Sequence, residues 1–153
     1  GLVPILVDGS TTIYDSAAIL CYLAKTYANE HWFPQQPLAC AQVIRWLTFE
    51  QSEGRYGLAR ARVFKLSIPS VLARTGTLED SQVMGNMALE IMEKQLSKNE
   101  WMTGGIQPTI ADIACYPYAA LSNDGGISLT PYPAVQRWIE RIKGLNGYIE
   151  LPG

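Results

Sequence analysis

Asp15-Ser16, an acid followed by a hydroxyl, stands just ahead of a run whose apolar residues recur every three or four positions. Side chains of these types cap helix starts, and the same place, with its unpaired amides and partial positive charge, also holds a carboxylate from a ligand. Upstream, Val3-Pro4 opens a short apolar run; it reads either as an edge-strand proline or as extended backbone whose polar groups face a partner. Tyr56 and Arg60 lie four apart and share a helical face, where they can present a hydroxyl and a guanidinium or stack on one another in solvent. Thr109 and Asp112 fit the S/T-x-x-D capping box, a structural device in which the threonine caps the backbone and the acid reaches back to its amide.

Other chemistries are excluded by what is scarce. His31 is the single histidine, so no His-rich metal site can form. Cys21, Cys40 and Cys115 are far apart, make no C-x-x-C pair, and read as reduced core thiols. Gly104-Gly105 lacks the Lys-Ser/Thr ending of a phosphate loop. The net charge of −2 is scattered without a basic run, which argues against nucleic acid and anionic membrane as partners. No apolar stretch approaches bilayer length, and 48% hydrophobic against 17% charged residues suits a folded cytoplasmic protein.

The elements that must position these residues follow from periodicity and turns. Leu2 to Val7 and Thr11 to Tyr14 flank Asp8-Gly9 and predict a hairpin. From Ser16, residues Ala17, Leu20, Cys21 and Ala24 predict a helix ending near Tyr27 to Asn29. Residues 31–38, with Pro34 and Pro37, read as a linker. Beyond it the chain reads as helical: Ala39 to about Leu66 with Val43, Trp46, Leu47 and Leu58 inward, and Leu78 to about Leu96 with Val83, Met84, Met87, Ile91 and Met92 as its apolar residues. Two more helices follow, from Thr109 to Leu121 and from Thr130 to Ile142, the second stopped by Gly144.

The opening stretch "VPILVDGSTTIYDSAAI" and "QPTIADIACYPY" together resemble the cytosolic glutathione transferase superfamily of bacterial type. The resemblance implies an α+β fold: the C-terminal β-β-α part of a thioredoxin-like domain over residues 1–30, then an all-α helical bundle over 39–153. On that reading the first β-α-β of the domain is missing, the chain is a fragment or truncated product that exposes a sheet edge, and the catalytic Ser, Tyr or Cys is expected upstream of Gly1. The function implied is a glutathione S-transferase, joining the glutathione thiol to a small hydrophobic electrophile. A non-catalytic binding or regulatory relative and a glutathione-dependent thiol reductase are the alternatives.

By the same resemblance Val3-Pro4 is a cis pair whose backbone at Val3 meets the cysteinyl part of glutathione. Ser16 and the helix amides receive the γ-glutamyl carboxylate, and Asp15 faces its ammonium group. Tyr56 and Arg60 fall on the helix that lines the co-substrate site, and Glu50 and Glu53 on its partner-facing side. Thr109 and Asp112 stay structural. Glutathione enters as co-substrate without a metal, and the intact protein is expected to be a homodimer.

Overall fold

A proline carries no amide for a ladder, so the first strand starts only after Pro4. In the computed structural model, which describes residues 3–151, β1 (Ile5–Asp8) and β2 (Thr11–Tyr14) pair antiparallel from Ile5 opposite Tyr14 to Asp8 opposite Thr11. Leu2, included in the expected strand, lies outside the described residues. Gly9 makes the turn with φ 58°, the left-handed region that glycine enters freely. Asp8 fastens this turn to the following helix: its Oδ2 accepts from Tyr22 Oη at 2.8 Å and from Tyr27 Oη. Among the described residues the sheet has only these two strands, and the side chains of Val3, Ile5, Val7 and Tyr14 are exposed.

Helix α1 (Ser16–Tyr27) packs its apolar face against the helical part of the molecule, with Ala24 fully covered. The expected linker is shorter than the two prolines imply. Glu30–Trp32 forms a 3₁₀ turn that holds the half-buried His31, and α2 (Pro37–Phe49) already begins at Pro37. Proline fits the first helical turn, where its missing amide has no partner to lose, and Gln36 caps the turn by accepting from Ala39 N at 2.7 Å.

The helix expected over residues 39–66 exists but changes winding partway. After α2, residues Glu50–Ala59 form a π-helical segment, which passes into α3 (Arg60–Lys65). The wider turn re-aims every side chain on that stretch. Here the π segment meets α4 (Leu78–Leu96) at close range, because Gly57 faces Gly85: a Cβ on Gly57 would stand 2.6 Å from the Gly85 backbone nitrogen.

That close approach corrects the expected face of α4. Small residues Ser81, Gly85 and Ala88 turn inward with Leu89, Met92 and Leu96, whereas Val83, Met84, Met87 and Ile91 lie exposed. Of the apolar residues that periodicity picks out on α4 only Met92 is buried, because periodicity does not say that the smaller residues, not the bulkier ones, face the neighbouring helix.

Helix α5 (Ile110–Ala120) runs through the centre and α6 (Pro133–Lys143) packs beside it. Trp46, Leu58, Leu89, Met102, Val135 and Trp138 are among the largest fully buried side chains of the core. The observed architecture is therefore α+β, a β-β-α unit followed by a helical bundle.

Candidate functional site

A cleft of about 670 Å³ lies between the start of α1 and the π segment, and it brings together Val3, Pro4, Asp15 and Ser16 with Gln51 and Arg55. The Val3-Pro4 bond is cis, and Val3 is 88% exposed, so its backbone borders open space. Asp15 is held at φ 77°, a conformation that costs a non-glycine residue about 1–3 kcal/mol and persists only where its surroundings fix it. What fixes it is the cap: Asp15 Oδ1 accepts from Ala17 N at 3.0 Å and Ala18 N at 3.3 Å. Asp15 thus caps α1, leaving Ser16 as its first residue with a hydroxyl toward the cleft.

Ser16 is not alone there. Gln51 Nε2 donates to Ser16 Oγ at 3.2 Å and to Glu50 Oε2 at 2.8 Å, while Gln51 Oε1 accepts from Arg55 Nη1 at 3.3 Å. Glu50 is 2% exposed, so it faces no partner surface, contrary to the expectation for it. Burial pushes its carboxyl up; hydrogen bonds from Tyr118 and Gln51 pull the other way. The Tyr118 phenol is in turn pushed well above its ordinary value by its own burial and by bonding Glu50. Tyr118 also walls a second, mostly apolar hollow of about 200 Å³ with Leu58, Ala59, Arg62, Val63, Pro117 and Leu121.

Tyr56 and Arg60, expected on the co-substrate wall, do not line the cleft. Arg60 is 8% exposed, donates from Nε to Ser81 Oγ at 2.8 Å, and sits 5.6 Å over the Tyr56 ring, so the pair stacks and ties α3 to α4. The π segment puts Gln51, Arg55 and Ala59 on the cleft instead; they are spaced four apart just as Tyr56 and Arg60 are, so spacing alone does not tell the two faces apart.

Thr109 and Asp112 form a complete capping box remote from this cleft. Asp112 Oδ2 accepts from Thr109 N at 2.9 Å, and Oδ1 takes Met102 N and Trp138 Nε1, each at 2.9 Å. Burial pushes the Asp112 carboxyl up and these donors pull it back. Among the described residues no group of three or more His, Cys, Asp or Glu is placed to hold a metal, and no helix is long and apolar enough to cross a membrane.

A family model for the glutathione S-transferase C-terminal domain matches residues 82–141. A solved glutathione S-transferase from Xanthobacter autotrophicus superposes with a TM-score of 0.86 at 32% identity, covering 99% of this chain and 72% of that one. The chain belongs to the glutathione S-transferase family.

Two further relatives are similar at lower identity. Glutathione S-transferase theta-1 of Bos taurus is 28% identical over 96% of this chain and 63% of its own length. The disulfide-bond oxidoreductase YfcG of Escherichia coli is also 28% identical, over 92% and 66%. The chain therefore spans a little under two thirds of these curated relatives. Of the residues that line the cleft of this family member, Gln51, Arg55 and Tyr118 escape a reading of the sequence, and Glu50, read as partner-facing, is buried behind them. Their only signal is a patch of polar residues inside an otherwise amphipathic helix, together with a tyrosine that periodicity assigns to the core.

Proposed function

We propose that the intact protein is a glutathione S-transferase in which this chain holds the γ-glutamyl end and the cysteinyl backbone of glutathione. The observation that carries the reading is a single cleft bordered by exposed backbone at Val3-Pro4 and by Asp15-Ser16 at the start of α1. Extended backbone with free polar groups takes a peptide like an added strand, and a helix start with a hydroxyl takes a carboxylate. The apolar hollow behind Tyr118 gives a small hydrophobic electrophile a place beside the cleft.

In the reaction the glutathione sulfur, as thiolate, forms a bond to an electrophilic carbon whose leaving group departs with its electron pair, and the thiol proton is lost to solvent. A free thiol titrates near 8.5, so a hydrogen bond or positive field must stabilise the thiolate at neutral pH. We assign that role to a Ser, Tyr or Cys upstream of Gly1. Glutathione is the co-substrate, and no metal enters the scheme.

Retention on immobilised glutathione tests the reading. The intact protein is expected to be retained, and Ser16→Ala to lose retention; an unsubstituted protein that flows through refutes it. Retention without conjugation of any electrophile would identify a non-catalytic binding protein. The likeness to a disulfide oxidoreductase favours one second reading, a glutathione-dependent thiol reductase, which disulfide turnover without conjugation would establish. We further read the intact protein as a cytoplasmic homodimer. The exposed Val83, Met84, Met87 and Ile91 stripe supports the pairing, and three free cysteines suit a reducing compartment.

A further inference from the structure

The Gln51 side-chain amide is gripped from both ends. Its nitrogen lies 2.8 Å from Glu50 Oε2 and 3.2 Å from Ser16 Oγ, and its oxygen lies 3.3 Å from Arg55 Nη1. A carboxylate only accepts hydrogen bonds and a guanidinium only donates them, so both neighbours demand the same orientation of the amide. Turning it over would set oxygen against carboxylate and N–H against guanidinium. The choice of nitrogen and oxygen positions is thus dictated by charge on two sides rather than by shape.

Ser16 inherits a polarity from this arrangement. Its hydroxyl has one proton and two lone pairs, and an N–H of Gln51 is already directed at the oxygen. The Ser16 proton therefore points away from Gln51, on the side open to the cleft. We propose that Glu50 and Arg55 are positioning residues that lock the Gln51 amide, so that Ser16 is held as a hydrogen-bond donor for the carboxylate of a γ-glutamyl ligand. The proposal rests on the glutathione reading above and deepens it. A hydrogen bond to an ionised acceptor is among the stronger kinds, whereas a reversed Gln51 would take the Ser16 proton and turn lone pairs toward the ligand. The lock decides whether Ser16 attracts the carboxylate or repels it.

The groups facing Glu50 agree with this role. Asp15 at the cap of α1 raises its carboxyl further beyond the effect of burial, while Tyr118 on α5 and Gln51 and Arg55 on the π segment lower it; Cys115 on α5, itself pushed up by burial, is a further titratable neighbour. A protonated Glu50 has an O–H to give, no longer insists on the amide nitrogen, and releases the lock. Affinity for glutathione is then expected to fall as the pH drops through the raised Glu50 value.

Calorimetric titration of the intact protein tests the lock, using glutathione and the analogue in which the γ-glutamyl carboxylate is a carboxamide. Gln51→Met, close in shape, is expected to weaken glutathione about tenfold, the worth of one hydrogen bond to a charged group, as is Ser16→Ala, with the double variant no worse than Ser16→Ala. The analogue, lacking the charge, should change less than about twofold with Gln51→Met. Gln51→Glu, which can only accept, should weaken glutathione more than Gln51→Met does. Additive losses in the double variant, unchanged affinity in Gln51→Met, or equal losses for both ligands overturn the lock while leaving glutathione binding standing. No binding by the unsubstituted protein overturns both.

Discussion

Asp112 accepts hydrogen bonds from two backbone amides, an indole and a hydroxyl, and it is fully enclosed. Removing it strands several buried donors at once, whereas removing Thr109 strands one helix-end amide. Asp112→Ala is therefore expected to cost about 3 kcal/mol or more and Thr109→Ala about 1 kcal/mol, read from urea denaturation midpoints. Equal losses would deny Asp112 its reach beyond the cap. Glu50 gives a pH signature of its own. Its carboxyl is raised in the folded state, chiefly by burial, so folding favours its protonated form. The contribution is complete below the ordinary carboxylate range and is lost as pH rises through the raised folded value. Glu50→Gln should accordingly flatten that decline in a stability-versus-pH series, and an unaltered profile would count against it.

At the scale of elements, the parts that could be read were those written in a few adjacent residues. The Thr109–Asp112 cap spans four positions and the Asp8-Gly9 turn two, so composition and spacing sufficed for both. What joins distant elements left no such trace. Helix α6 has no side-chain cap from Tyr132; instead Glu93 on α4 accepts from Ala134 N at 2.9 Å and Val135 N at 3.0 Å, across more than forty residues of chain. Glu93→Ala should cost about 1 kcal/mol, like the loss of a local cap, with early exchange of the α6 amides by hydrogen–deuterium measurement. The π segment was equally hidden: its residues carry no local signal for that winding, and the Gly57–Gly85 approach that accompanies it joins positions 28 residues apart. Gly57→Ala is expected to destabilise by about 2 kcal/mol through overpacking, where an ordinary helix would gain from alanine; a gain in thermal midpoint would contradict the close approach.

For the molecule as a whole, the order of elements and the α+β class were legible because hairpin and helix periods differ so clearly. Half of the candidate site was legible too, at Val3-Pro4 and Asp15-Ser16. The other half depends on which face of a re-wound helix meets α1, and that is decided only when the units pack. The exposed stripe on α4 carries the prediction for assembly: Met87→Glu should give a monomer by light scattering while changing unfolding by no more than about 0.5 kcal/mol. A dimer that survives the substitution would move the interface elsewhere.

Tyr118 stands between a polar chamber and an apolar one, and its ring belongs to the wall of each. Ala59 is the other residue common to both walls, so most of the partition is the Tyr118 ring. A smaller side chain in place of Tyr118 would join the two chambers, and a larger one would narrow the inner. The amount of space beside the cleft is thus set chiefly by one aromatic ring on α5, and it can change there while the Thr109–Asp112 cap at the start of the same helix stays as it is.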